Sequence, residues 1–197
     1  MTRQKKIPVR IVQTQDIHGT KKISIRIDVG NYLNAGIDSE RKIEKFKKLY
    51  FEVVNAAKTL FYGTESKKEK KYQDLPSSIY WKLGELLRKF NETIEHDYEI
   101  TNYTEAISRD FGLSQDYIYD LLTVVKFFKK SEIHDSVYFS YYRALKRKRK
   151  ELEKLGIFER EKKRLNEMGE AGKLPGREQY KNELNELIQK NLHKKKK

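Results

Sequence analysis

The hydrophobic period of the sequence changes once, near Asp38, and this change constrains the fold more than any other feature. Before it, apolar residues alternate with polar ones from Ile7 to Ile11 and from Ile23 to Val29, as in half-buried strands. The intervening QDIHGT indicates a turn, and hence a β-hairpin. After Asp38, apolar residues recur at three and four spacings, the period of amphipathic helices. The sequence therefore predicts a mainly α protein: a β-hairpin, a helical bundle and a basic helical extension.

Turn residues and composition divide the chain into five predicted segments. Residues 1–62 hold the hairpin and a long amphipathic helix, and residues 63–76, GTESKKEKKYQDLP, are typical of an exposed charged linker. Residues 77–156 are expected to form a second helical domain. Residues 157–193 form a helical extension that is a candidate for dimerisation, and residues 194–197 form a basic tail.

Charge indicates the partner. The 197 residues carry a formal net charge of +14. From Arg143 onward the sequence has 19 Lys and Arg residues and only nine Glu residues. A field of this sign attracts polyanions, with nucleic acid first and an anionic membrane surface second. No apolar run reaches the roughly 20 residues that span a bilayer, and the first residues lack a secretory signal. We expect no membrane association and a cytoplasmic, nucleoid-associated location.

The patterns that would indicate an enzyme are missing from the sequence. Cysteine is absent, which excludes disulfides, thiolate zinc sites and cysteine nucleophiles. The four histidines stand apart from one another, without metal-binding spacing. Neither a phosphate-cradling glycine loop nor a nucleophile elbow occurs. The sequence therefore predicts a protein that is not an enzyme and has no catalytic residue, metal or cofactor.

Residues 104–125, TEAISRDFGLSQDYIYDLLTVV, meet the spacing rules of a helix-turn-helix. Gly112 suits a turn that needs positive φ, and Ser114 is placed to cap the second helix. Ala106 or Ser108 provides the small residue where the two helices cross. The apolar residues expected to lock both helices onto a third are Ile107, Phe111, Leu113, Ile118, Leu121 and Leu122.

The outward face of the second helix is the predicted reading face, because that face enters the major groove in proteins of this kind. Its expected residues are Gln115, Asp116, Tyr119, Asp120 and Thr123, and Ser114 at the start of the helix is a further candidate DNA contact. Gln115 and Thr123 are candidate base contacts, and Tyr119 is a candidate for a base or a phosphate. The two aspartates are candidates to accept a hydrogen bond from cytosine or to complement the positive end of the helix dipole. The second role is favoured for Asp116.

Basic residues follow the predicted helix-turn-helix. A single long helix is expected from about Asp135 to Leu155, with the run KRKRK, residues 146–150, in its middle. Five consecutive cations on one helix cannot all face one phosphate track, so two or three contacts are expected. The run also suits a solvated helix face, a localisation signal or an RNA contact. The candidate phosphate contacts are Lys126, Lys146, Arg147, Arg149 and Lys150.

The run GLSQDYIYDLLTVVKFF resembles the helix-turn-helix of ParB-type and KorB-type partition proteins. The matching positions are Gly112, Ser114, Tyr117, Ile118, Leu121 and Leu122. The segment SVYFSYYRAL is similar to that family's next helices, with Arg143 beside an Ala-Leu pair. The resemblance covers about residues 104–150 and implies that the second helix reads bases while the following helices, including Arg143, hold phosphates. The nucleotide-binding half of ParB proteins has no counterpart in the first 100 residues.

These observations favour a DNA-binding regulator of partition, copy control or transcription, acting on duplex DNA as a homodimer on a two-part site. An RNA-binding or ribonucleoprotein-assembly protein stays open as an alternative. A ribbon-helix-helix mode is a second alternative, in which the strand KKISIRIDVG inserts Ser24, Arg26 and Asp28 into the major groove. A structural adaptor whose helix-turn-helix binds protein is a third.

Overall fold

A computed structural model describes residues 6–14, 24–28, 36–62 and 75–195. The protein is mainly α, as the sequence predicts. The strands are β1 (Ile7–Thr14), β2 (Ser24–Asp28) and β3 (Tyr98–Ile100). The helices are α1 (Gly36–Tyr62), α2 (Ser77–Ile94), α3 (Tyr103–Phe111), α4 (Gln115–Phe127), α5 (Phe139–Arg147), α6 (Arg149–Lys154), α7 (Phe158–Glu170) and α8 (Arg177–Lys195).

The β-hairpin prediction is confirmed, and the sheet has a third strand that the sequence did not indicate. β1 pairs antiparallel with β2, with Ile11 opposite Ile27, and parallel with β3, with Ile7 opposite Tyr98. The strand order is β2-β1-β3, so β1 is central. Ile7, Val9 and Ile11 of β1 are buried, which agrees with the alternating pattern.

The described residues fall into two compact units. The first comprises residues 6–14, 24–28, 36–62 and 85–119, and the second comprises residues 75–84 and 120–195. The division runs through α2 and α4, whereas the sequence places a boundary at residues 63–76. Most of that segment, 63–74, lies outside the described residues, so the linker stays a prediction. In the basic tail, residues 196 and 197 lie beyond them and the side chains of residues 194 and 195 are not described, so the tail also stays a prediction.

Aromatic packing forms the core of the first unit. The ring of Phe46 in α1 lies 6.1 Å from that of Phe90 and 5.0 Å from that of Tyr98, measured between centroids. Tyr50, one turn further along α1, is fully buried and donates its hydroxyl to Asp110 Oδ2 at 2.6 Å. The side chain of Asn102 binds both the N–H and the carbonyl of Ile11 at 2.9 Å, so it ties the start of α3 to β1.

The second unit is helical, and aromatic rings again fill its core. Phe128, which follows α4, lies 5.4 Å from the Tyr142 ring and 5.9 Å from the Phe158 ring. Its carbonyl accepts a 2.8 Å hydrogen bond from the indole of Trp81 in α2. The apolar face of α8 packs on α5, where Tyr180 contacts Tyr141 with ring centroids 5.4 Å apart. That face of the predicted dimerisation helix is thus used within the chain, and the dimer stays a prediction.

Gly84 allows α2 and α4 to approach closely within the second unit. A Cβ atom at Gly84 would lie 2.6 Å from the carbonyl oxygen of Leu121 and 2.8 Å from Cγ1 of Val125. Because such distances are below van der Waals contact, only glycine fits at this crossing. The sequence did not indicate this crossing; its small residue, Ala106 or Ser108, was expected between α3 and α4.

The prediction of a single long helix from about Asp135 to Leu155 is wrong. The chain forms α5 and α6, which are separated at Lys148, where φ is −96° and ψ is 5°. The amide of Lys148 donates to the Leu145 carbonyl at 3.1 Å, which tightens the last turn of α5. Both helices pack on α7, and the break permits this. The KRKRK run is therefore shared between two helices.

In the ranges that the structure describes, none of the helices combines the length and the apolar character that crossing a membrane requires.

Candidate nucleic-acid interface

The turn between α3 and α4 has the predicted geometry. Gly112 ends α3 in the left-handed region, with φ 64° and ψ 26°. The amide of Leu113 donates to the Ser108 carbonyl at 3.0 Å, a bond typical of the Schellman motif at a helix C-terminus. The Ser108 hydroxyl donates to the Leu113 carbonyl in return. Ser108 therefore fixes the turn by hydrogen bonding, and the helix-crossing role expected of Ala106 or Ser108 stays a prediction.

Ser114 caps α4, as the sequence predicts. Its hydroxyl oxygen accepts from the Tyr117 amide at 3.2 Å, and its carbonyl accepts from the Ile118 amide at 3.1 Å. The apolar residues expected to lock the helices are buried except Leu122, which is half-buried. The exposed residues at the start of the helix are named here the α4 N-terminal surface: Ser114, Gln115, Asp116 and Tyr119.

Asp120 does not face outward, and its predicted place on the reading face is wrong. The residue is only 2% exposed. Thr123 is half-buried, and its hydroxyl donates to the Asp120 carbonyl at 3.2 Å. The position looks outward in the sequence because Asp116 precedes it by one turn, yet the cations of α5 cover it. The α4 N-terminal surface thus carries one carboxylate fewer than expected.

Three cations of α5 surround the carboxylate of Asp120, and we call these four residues the Asp120 cluster. Arg143 Nε donates to Oδ2 at 2.6 Å, and Arg147 Nη2 donates to the same oxygen at 2.9 Å. Lys146 Nζ donates to Oδ1 at 3.2 Å. The spacing of these cations places them on one face of α5. The cluster has one negative and three positive charges, so it keeps a net charge of +2.

The cluster keeps Asp120 ionised despite its burial. Burial alone would raise the pKa of Asp120, because a low-dielectric environment disfavours the charged carboxylate. The hydrogen bond from Arg143 and the charges of Arg143 and Arg147 outweigh burial and hold the pKa below its ordinary value. The carboxylate therefore remains a fixed anchor for the three cations at neutral pH.

Phe127, at the end of α4, gathers two further cations. The guanidinium carbon of Arg149 lies 3.7 Å from the centroid of the Phe127 ring, and Lys126 Nζ lies 5.8 Å from it. Arg149 Nε also donates to Glu153 at 2.6 Å. Two α4 residues, Asp120 and Phe127, thus organise five of the cations that the sequence proposed as phosphate contacts.

The predicted site residues differ in accessibility. Arg147 is 56% exposed at its side chain, whereas Arg143 is 20% and Lys146 is 11% exposed. Lys126 and Lys150 are exposed. Within the described structure, Lys150 has no contact that joins it to the Asp120 cluster. Arg147 is therefore the member of the cluster best placed to meet a partner.

Asp120 and Phe127 are the two organising residues that sequence reasoning missed. One signal for Asp120 is present: Arg143, Lys146 and Arg147 share a helical face, and three like charges that close together favour a counter-ion. Nothing in the sequence identifies which of the acidic residues supplies it. Phe127 carries no local signal, because the spacing of an aromatic residue near a helix end is also that of a core residue.

Among residues 6–14, 24–28, 36–62 and 75–195, no group of three or more His, Cys, Asp or Glu side chains is arranged to hold a metal ion. Comparison of the chain with models of protein families, with curated proteins and with solved structures finds no match.

Proposed function

We propose that this protein binds duplex DNA, that α4 reads bases in the major groove, and that cations of α4, α5 and α6 bind the phosphate backbone. The observation that carries the proposal is the exposed start of a capped helix that directly follows a left-handed glycine turn. Gln115, Asp116 and Tyr119 are exposed there, and Tyr119 is 62% exposed. A helix presented in this way fits the major groove with its N-terminal side chains on base edges.

Charge supports the same proposal. The net charge of +14 favours a polyanionic partner, and Arg147, Lys126 and Lys150 are accessible to one. Phosphate contacts from such residues supply affinity that does not depend on base sequence. In this proposal, Gln115 suits adenine because its amide offers a paired donor and acceptor.

One helix reads only a few base pairs, so useful specificity requires two copies on a two-part site about one helical turn apart. We therefore propose a homodimer that acts in partition, copy control or transcription and associates with the nucleoid. The ribbon-helix-helix alternative has less support, because β2 pairs with β1 of the same chain and α1 is a single helix of 27 residues.

Fluorescence anisotropy over a salt series tests the partner. Labelled random duplexes and a structured RNA are titrated with the full chain at equal salt. We expect the duplex to bind with a log-log salt slope of about −0.9 per phosphate contact. Repeated selection from random duplexes should enrich a defined sequence. If RNA displaces the duplex and no sequence is enriched, the protein is an RNA-binding protein and the proposal is wrong.

A matched pair of substitutions tests the reading role of α4. Gln115→Ala should weaken binding to the selected sequence about tenfold, because a bidentate contact to a base is worth roughly 1–3 kcal/mol, and it should leave binding to random duplex nearly unchanged. Gln189→Ala on α8 is the control, since Gln189 is exposed on a helix without a proposed DNA contact. Equal loss with both variants, or on both duplexes, would contradict base reading by Gln115.

A further inference from the structure

The Asp120 cluster contains more positive charge than its carboxylate needs. Charged side chains are rarely fully buried unless they are paired, and one guanidinium would pair the carboxylate of Asp120. The structure places three cations there, at 2.6, 2.9 and 3.2 Å from its two oxygens. An anion from outside the chain would bind at the member of the cluster that solvent reaches.

Accessibility within the cluster indicates where such an anion would bind. Lys146 and Arg143 lie largely inside, whereas the side chain of Arg147 is 56% exposed. Asp120 engages Nη2 of Arg147, and this bond restricts the rotation of the guanidinium group while much of the side chain faces solvent. The fork of a guanidinium group matches two oxygens of a phosphate. A side chain that is already held in place makes this contact with a smaller loss of conformational entropy than one that rotates freely.

We propose that Asp120 is a positioning residue for phosphate binding: it orders Arg147, with Arg143 and Lys146 behind it, so that the cluster binds a backbone phosphate. This role rests on the proposed function and deepens it, since it names the phosphate group that the second unit binds. It also explains why a nucleic-acid-binding surface contains a carboxylate that would otherwise repel its partner. Ordering Arg147 in advance removes part of the side-chain entropy that binding would cost.

One substitution tests this role, because charge alone and the positioning role predict opposite changes in DNA affinity. If charge alone mattered, Asp120→Asn would strengthen DNA binding, because it removes a negative charge beside the phosphates. The proposal predicts the opposite, a loss of about tenfold in affinity for random duplex. It also predicts a log-log salt slope smaller in magnitude by about 0.9, the share of one phosphate contact.

Glu186→Gln is the matched control, because it makes the same carboxylate-to-amide change at an exposed position on α8, a helix without a proposed DNA contact. It should leave affinity for random duplex unchanged. Asp120→Glu keeps the carboxylate and should restore part of the salt slope. Circular dichroism must show every variant folded at the assay temperature, so that a lower folded fraction is not read as weaker binding.

A second pair of variants applies if Asp120→Asn does not fold. Arg147→Lys keeps the charge but loses the guanidinium fork that Asp120 orients, and it should weaken binding and reduce the salt slope. Arg160→Lys, at a side chain 63% exposed on α7, should do neither. If Asp120→Asn binds random duplex as tightly as Glu186→Gln, or Arg147→Lys as tightly as Arg160→Lys, the positioning role is overturned while DNA binding stands.

The wild-type titrations separate the two proposals. A wild-type chain that binds RNA in place of duplex overturns the proposed function, and the same variants then test the cluster on RNA phosphates. A wild-type chain that binds neither polymer overturns both proposals.

Discussion

The central carbon of the Arg149 guanidinium group lies 3.7 Å from the centroid of the Phe127 ring. This contact joins the start of α6 to the end of α4 within the second unit. Arg149 also binds Glu153 at 2.6 Å, so both of its contacts restrict the side chain. The pairing of a cation with an aromatic face is strengthened where the ring is partly shielded from water, and Phe127 is half-buried.

Phe127→Leu should weaken DNA binding about threefold. The substitution keeps an apolar side chain but removes the ring that holds Arg149, and an interaction of this kind is worth about 0.5–1 kcal/mol. Anisotropy with random duplex at fixed salt measures the change. Phe51→Leu is the control, because Phe51 is an exposed phenylalanine on α1. An equal loss with both variants would show that Arg149 does not depend on Phe127 for binding.

Gly84→Ala should destabilise the protein, although alanine is the better helix former by about 1 kcal/mol. Its Cβ atom would meet the Leu121 carbonyl oxygen at 2.6 Å, and a backbone group in a helix cannot move aside cheaply. Overpacking of this kind costs about 1–3 kcal/mol. Urea unfolding measures the effect, with Gly176→Ala as the control because nothing lies within 4 Å of the Cβ position there. A gain in stability for Gly84→Ala would refute the close approach.

Gly112→Ala should lower the free energy of unfolding by about 1–2 kcal/mol, because an alanine side chain is strained at φ 64°. Gly112→Asn should cost less, since asparagine visits the left-handed region more readily. Urea unfolding of the three proteins gives the order Gly, Asn, Ala. An alanine variant as stable as the wild type would mean that the turn relaxes to another conformation.

Local features of the chain could be predicted from the sequence, and long-range ones could not. Gly112 and Ser114 act on residues within a few positions, so the turn and the cap follow from residue type and spacing. Asp120 is covered by cations that lie 23 to 27 positions later in the chain. No periodic pattern carries information on such contacts. The helical period of α4 was correct, but the assignment of its faces at Asp120 was wrong.

The same limit applies to the fold. β3 has three residues, too few for an alternating pattern, and it pairs with β1 about ninety positions earlier. The sequence around Lys148 has neither glycine nor proline to mark the break, and α5 and α6 both pack on α7. From the sequence alone, Gly84 is only a weak helix former. The structure shows its role, which is to allow the close approach of α4.

Lowering the pH should reduce the free energy of unfolding, because Asp120 becomes protonated. Its pKa in the folded chain lies below the ordinary value of about 3.9, because the bonds and charges of α5 outweigh the effect of burial. The carboxylate therefore contributes stability that is fully present above the unfolded-state pKa and is lost as the pH falls through the lower folded-state pKa.

Asp120→Asn should accordingly lower the free energy of unfolding by about 2 kcal/mol at neutral pH, since hydrogen bonds to a charged group are lost. Urea unfolding at neutral pH and below about pH 4 should show this difference shrinking in acid, because the wild-type carboxylate becomes protonated as well. Asp116→Asn should change stability by less than about 1 kcal/mol, the usual limit for a helix N-terminal charge. A difference between wild type and Asp120→Asn that stays constant into strong acid would show that the Asp120 charge does not stabilise the cluster.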